Sequence, residues 1–195
     1  MSEHLIESLP PREFAAAGRL LARAYQHDPQ FTYLLPNEDE RARRTPWFFA
    51  AVLRFSASVG TVLALEGGVA ILLPPGAHAP SFRRMVRSGL ITAPARLGMG
   101  AVQRLGAFAA TSRDVRARAV HGPFWYVGGI GVDPERSGRG IGTTLMEELI
   151  ARAGTPFCLE TASERNVAWY ERLGFIIVAE GDVPEGPHLW SMRKG

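Results

Sequence analysis

The chain is short of the residues that staple or anchor other proteins. It has one cysteine, Cys158, so no internal disulfide can form and a reducing compartment is expected. It has one lysine, Lys194, and the balance of 22 basic to 19 acidic residues leaves a formal net charge of only +3. That balance argues neither for nor against a nucleic-acid scaffold. From Phe82 to Val120 the chain carries Arg83, Arg84, Arg87, Arg96, Arg104, Arg113, Arg116 and Arg118 against Asp114 alone, but no aromatic stacking series is interleaved with them. Nucleic acid is therefore not expected as a partner. No apolar run approaches the ~20 residues that cross a bilayer, and Met1, Ser2, Glu3 and His4 do not form a basic region leading into an apolar one. No membrane partner and no secretory signal are expected, which gives a cytoplasmic reading. The 5 histidines are scattered without metal-ligand spacing, so no metal is expected. No polar linker, repeat or low-complexity stretch divides the chain, and residues 1–195 read as one domain.

Glycine, by contrast, is plentiful at 21 residues, and its densest stretch organises the reading. Residues 125–132 read as an apolar, glycine-rich strand. From Thr143 to Ala153 the positions Leu145, Met146, Leu149 and Ile150 recur at helical spacing. Between them lie Ser137, Gly138, Arg139, Gly140, Ile141 and Gly142. A glycine-rich turn that leaves a strand and opens a helix points several backbone N–H groups at one spot and adds the positive end of the helix dipole. Such a turn cradles a phosphate or pyrophosphate. A dinucleotide-binding fold uses a related turn: Gly138 and Gly140 fit its spacing, Thr143 stands at its third glycine, and Glu160 lies near its acidic position. The chain left after Gly142 holds only about one short α/β unit and two strands, too little for a doubly wound sheet.

Elsewhere the pattern is that of a mixed α/β protein. His4 to Leu9 alternates as a first edge strand. A helix follows Pro10 and Pro11, with Phe14, Leu20, Leu21 and Tyr25 on its buried face, and ends at Asp28 and Pro29. Residues 31–36 read as a loop. A second helix spans Asn37 to Ser58, with Asn37 as N-cap and Glu38, Asp39 and Glu40 in its first turn. Residues 61–66 and 69–73 flank Gly67 and Gly68 as a hairpin buried on both faces. Residues 78–120 read as two or three helices broken by glycine and proline, covering the sheet as a candidate lid. Residues 156–161 form a short apolar run, expected as a central strand parallel to 125–132, because a helix crosses between them. A helix over 166–173, a strand over 175–179 and a last antiparallel strand over 189–192 complete the chain.

The motif Val132, Asp133, Pro134 followed by Ser137, Gly138, Arg139, Gly140, Ile141 and Gly142 resembles motif A of the GCN5-related N-acetyltransferases (GNAT). The segment from Leu159 to Phe175 resembles their motif B, in a form close to the puromycin N-acetyltransferase group. The match is specific from about Trp125 onward. One departure is Ser137, which stands where the family carries Gln or Arg, with Arg136 one place early. The resemblance implies a GNAT-type mixed, splayed central sheet flanked by helices, acetyl-CoA as co-substrate, and a small-molecule primary amine as acceptor, attacked directly in a ternary complex. A non-catalytic acyl-CoA-binding module is the alternative.

The same resemblance distributes the roles. Ser137, Gly138, Arg139, Gly140, Ile141, Gly142 and Thr143 would hold the pyrophosphate, Ile130, Gly131 and Val132 would pair with the pantetheine arm, and Asn166 would contact the coenzyme. The Val132 N–H would face the acetyl carbonyl oxygen. Tyr170 occupies the position of the general acid to the leaving thiolate. Glu160, at the end of its strand, is the candidate general base, with His121, His27 and Asp28 as alternatives. Cys158, alone in an apolar strand, reads as packing and not as a nucleophile.

Overall fold

The protein is described here by a computed structural model covering residues 6–77 and 81–195. The expected first strand is met at β1 (Glu7–Ser8), which pairs with Ala64 and Leu63; His4 and Leu5 lie outside the described residues. Helix α1 (Phe14–Ala24) follows Pro10 and Pro11, burying Phe14, Ala17, Gly18, Leu21 and Ala22 along one stripe. Residues expected as loop instead form a short helix, α2 (Pro29–Leu34). The local chemistry explains the difference: the Asp28 side chain accepts the Gln30 N–H at 2.9 Å, and Pro29 sits at the first helical position, where its missing N–H costs nothing. Helix α3 (Glu38–Ala57) starts as anticipated, with Asn37 accepting the Glu40 N–H at 2.9 Å.

Strands β2 (Thr61–Leu65) and β3 (Gly68–Leu73) form the hairpin, and every residue of β3 is buried. Its alternation divides the core between two faces. Val69, Ile71 and Leu73 pack with Phe14, Leu21, Phe49 and Leu53, whereas Ala70 and Leu72 pack with Leu145, Met146 and Leu149. Among the described residues three α-helices separate β3 from the next strand: α4 (Phe82–Ser88), α5 (Ala93–Leu97) and α6 (Met99–Ala119).

The second half runs β4 (Trp125–Val132), α7 (Ile141–Ala153), β5 (Phe157–Thr161), α8 (Glu164–Arg172), β6 (Ile176–Asp182) and β7 (His188–Lys194). Helix α8 begins two residues earlier than expected because Ser163 caps it; its hydroxyl accepts the Asn166 N–H at 3.4 Å, so Asn166 lies inside the first turn and is not the cap. The sheet has seven strands in the order β1-β2-β3-β4-β5-β7-β6. Among the described residues only β4 and β5 are parallel, and they pair only at Trp125 with Phe157 and Tyr126 with Cys158. Beyond Tyr126, β4 continues to Val132 along β3 while β5 departs, which leaves the sheet mixed and splayed open at its centre. Helix α6 packs against α2, β6 and β7, and the Arg104 guanidinium donates to the Leu34 carbonyl at 3.1 Å.

Candidate active site

The opening between β4 and β5 leads into a cleft of about 880 Å³. On one side β4 passes into a short turn at Pro134–Arg136, then through Ser137 and two left-handed glycines, Gly138 and Gly140, both with φ +79°, into α7. A Cβ at Gly140 would meet nothing within 4 Å; glycine is required there by conformation, since a left-handed residue with a side chain costs roughly 1–2 kcal/mol. The first intrahelical bond runs from the Thr144 N–H to the Gly140 carbonyl at 2.9 Å, so the N–H groups of Ile141, Gly142 and Thr143 have no acceptor within the helix. They form the cradle. Ser137, Gly138, Gly140, Ile141, Gly142 and Thr143 all line the cleft, as do Ile130, Gly131, Val132, Asn166 and Tyr170. Arg139 is the exception: its side faces a separate hollow with Glu66, Glu135 and Arg136. Arg136 itself pairs with Glu66 at 2.5 Å, binding the turn to the β2–β3 hairpin.

Helix α8 forms the opposite wall. The Trp169 indole N–H donates to the Thr143 hydroxyl at 3.4 Å, tying α8 to the first turn of α7. Tyr170 is only 6% exposed, lies against Trp169 and Phe175, and has its phenol pushed well up by burial, with Tyr25 and Asp28 adding to the shift. The third wall is the end of α1 and the start of α2, contributing Arg23, Tyr25, His27 and Asp28. Arg23 bonds to Asp133 and holds that carboxyl below its usual range. Arg165 and Arg172 also line the cleft. With α7 presenting its N-terminus, these guanidiniums make the wall complementary to a polyphosphate.

Among the described residues that line the cleft, Asp28 is the one acidic side chain. Burial raises its carboxyl from an ordinary 3.8 to about 6, partly offset by the bond from the Gln30 N–H. Glu160 is elsewhere and does not line the cleft. Its Oε2 accepts from the Ser112 hydroxyl at 2.8 Å, the Arg116 guanidinium at 2.6 Å and the Tyr126 hydroxyl at 2.7 Å. With these three donors, Arg116 among them a cation, the carboxylate faces α6 and not the cleft, where the expected general base would have to stand: Glu160 joins β5 to α6. His121 is exposed outside the cleft, whereas His27 and Asp28 lie in it. Cys158 is fully buried, and burial foremost pushes its thiol up to about 12.

The sequence marks Tyr25 only as buried helix surface. In the structure its hydroxyl donates to the Ile130 carbonyl at 2.8 Å and accepts the Ile130 N–H at 3.1 Å. No local pattern signals a contact between residues 105 positions apart.

The sheet is mixed and opens beside its parallel pair, with a glycine-rich helix start on one lip of the cleft and a buried tyrosine on the other. The model of the acetyltransferase (GNAT) domain matches residues 80–177, and the chain belongs to that family. Among solved structures it is similar over 97% of its length to a Corynebacterium glutamicum protein described as a histone acetyltransferase HPA2 and related acetyltransferase, covering 94% of that chain at 21% identity and TM-score 0.70. It is similar, again over 97% of its length, to a variant of an agmatine N-acetyltransferase (20% identity, TM-score 0.60, 97% of that chain). The same holds for arylalkylamine N-acetyltransferase 2 from Aedes aegypti (14% identity, TM-score 0.63, 97% of that chain). At these identities the shared property is the fold.

Proposed function

We propose that the protein is a cytoplasmic enzyme that transfers the acetyl group of acetyl-CoA to a primary amine of a small molecule, by direct attack in a ternary complex. The observation that carries the reading is that the cradle, the unpaired edge of β4, Tyr170 and Asp28 all line one cleft. The N–H groups from Gly138 to Thr143 hold the pyrophosphate. The arm of the coenzyme then runs back along β4, where strand alternation leaves the main-chain groups of Val132 facing the opening. The Asp133 N–H reaches the Gly67 carbonyl at 2.8 Å on the β3 side, so those of Val132 point the other way. Asn166, on the opposing helix, contacts the coenzyme, and the backbone cradle compensates for Ser137 at the position where the family carries a longer side chain.

Asp28 takes one proton from the incoming ammonium, for which a carboxyl near 6 is poised at neutral pH. The amine nitrogen then bonds to the acetyl carbon, the carbonyl electron pair moves to oxygen, and collapse of that intermediate breaks the carbon–sulfur bond. Tyr170 gives its proton to the leaving thiolate and recovers one from the nitrogen. Because burial holds that phenol up, the two transfers must be coupled: a free phenolate would not persist there. The form of motif B aligns the chain with the puromycin N-acetyltransferase group, and the agmatine and arylalkylamine enzymes that share its fold act on small amines. Calorimetry with acetyl-CoA together with thiol release across a panel of primary amines tests the reading. Binding with amine-dependent release is the expected result. Binding without release would make the protein a coenzyme-binding module, and no binding at millimolar acetyl-CoA would remove the proposal.

A further inference from the structure

The relation between Tyr25 and Ile130 goes beyond that assignment while resting on it. β4 keeps its ladder with β3, but from Val127 onward β5 is gone. Main-chain groups of alternate residues therefore face the opening with no strand to receive them. Val132 leaves its pair open. Ile130 does not: one phenolic oxygen accepts its N–H and donates to its carbonyl, at 3.1 and 2.8 Å, standing in for the missing strand neighbour.

That oxygen is fixed in place. The Tyr25 ring packs against Phe31 and Phe49 at centroid separations of 5.4 and 5.3 Å. Helix α1 can approach this closely because position 131 is glycine: a Cβ there would lie 2.6 Å from Leu21 Cδ2 and 3.2 Å from the Tyr25 ring. The phenol is also pushed far up, by burial foremost and by Asp28, so it stays a protonated donor throughout the working pH range. Tyr25 lines the same cleft as Tyr170 and Asp28.

Position along the strand decides what this donor meets. From the cradle the coenzyme arm reaches Val132 first, and the next main-chain pair that faces the opening is that of Ile130, already covered by the Tyr25 hydroxyl. We propose that Tyr25 is a catalytic residue: its hydroxyl, polarised by the Ile130 N–H it accepts, turns its hydrogen from the Ile130 carbonyl to the acetyl oxygen and stabilises the oxyanion as the amine adds. The Val132 N–H, anticipated from the sequence for that task, pairs with the arm instead. As nitrogen bonds to the acetyl carbon, the carbonyl π pair moves to oxygen and is held by the Tyr25 O–H. When the carbonyl re-forms and the sulfur leaves, that hydrogen bond returns to Ile130, with no net proton given or taken by Tyr25.

The test is Tyr25→Phe, read in turnover and in ligand affinity. Loss of one preorganised donor to an oxyanion is expected to lower kcat roughly 100-fold or more, with the affinity for free CoA, which has no carbonyl, nearly unchanged. Calorimetry with two inert analogues isolates the carbonyl: S-acetonyl-CoA keeps it, S-ethyl-CoA does not. The substitution is expected to weaken the first and spare the second, whereas a tyrosine that merely braces β4 would weaken both alike, and that equal loss overturns the proposal, as does unchanged kcat. Site-specific 3-fluorotyrosine at position 25, which keeps the ring and sharpens the donor, covers the case in which Tyr25→Phe does not fold. Turnover and S-acetonyl-CoA affinity should then move together, and no change in either overturns the assignment. If wild-type protein binds acetyl-CoA but acetylates no amine, the acetyltransferase reading has failed; an active wild type indifferent to Tyr25 defeats this inference alone.

Discussion

Arg116 and Glu160 meet at 2.6 Å with side chains 12% and 2% exposed, one from α6, the last helix before β4, the other from β5, an interior strand of the sheet. Ser112 and Tyr126 share the same carboxylate oxygen, and the Arg116 guanidinium lies 5.0 Å from the centroid of the Tyr126 ring. The pair fastens α6 over the sheet. Removing one member strands a buried charge, which typically costs 3–5 kcal/mol. Glu160→Ala is expected to lose about 3 kcal/mol and roughly 6–12 °C in Tm, measured by thermal unfolding. The fraction that remains folded should keep a near-normal kcat with an unmoved pH profile. A general base at this position would instead abolish turnover without touching Tm.

Tyr170→Phe removes only a hydroxyl from a side chain already packed between Trp169 and Phe175. Stability and acetyl-CoA affinity should change little, while kcat falls roughly 100-fold or more, the range of a lost general acid. Steady-state kinetics beside calorimetry separates the two quantities; a fall in affinity with kcat preserved would assign Tyr170 to binding alone.

Asp28→Asn keeps the cap on α2, since asparagine accepts the same backbone N–H, but cannot take a proton. Wild-type kcat/KM should rise as pH climbs through about 6, and that limb should be missing from the variant. The carboxyl also bears on stability, with a definite sign. Its folded value lies above its ordinary 3.8, so the folded state binds the proton more tightly than the unfolded one. The stabilisation this provides is complete below 3.8 and is lost as pH rises to about 6. Chemical denaturation at several pH values should show the variant gaining on wild type over that window and holding a constant advantage above it.

Gly140→Ala places a side chain at φ +79°, where the strain of roughly 1–2 kcal/mol must be relieved by turning the peptides of the cradle. Acetyl-CoA affinity is expected to drop about tenfold, read by calorimetry. An alanine that binds acetyl-CoA as well as the glycine would mean that the pyrophosphate is not held by this turn.

Much of this arrangement is legible in the chain itself. The cradle could be read because its cause is local: Gly138 and Gly140 between an apolar strand and a 3.6-period helix leave few backbone solutions. The hairpin at Gly67 and Gly68 and the Asn37 cap were readable for the same reason. The α2 helix was not, because six residues rich in aromatics carry no period. Its only cue is Asp28 before Pro29, which also ends a helix.

Residue types and short spacings thus determined most of the elements, the family motifs and the glycine-rich turn, all interactions that close within a few residues. Which carboxylate lines the cleft, and which tyrosine touches β4, were decided by the order of strands in the sheet. Where β5 leaves β4, the backbone of Ile130 and Val132 is exposed to the cleft; Glu160 is carried to the side covered by α6, and Asp28 and Tyr25 are brought in from a helix end more than 100 residues away. Contacts of that range depend on how whole layers stack, and no local pattern of side chains encodes the stacking.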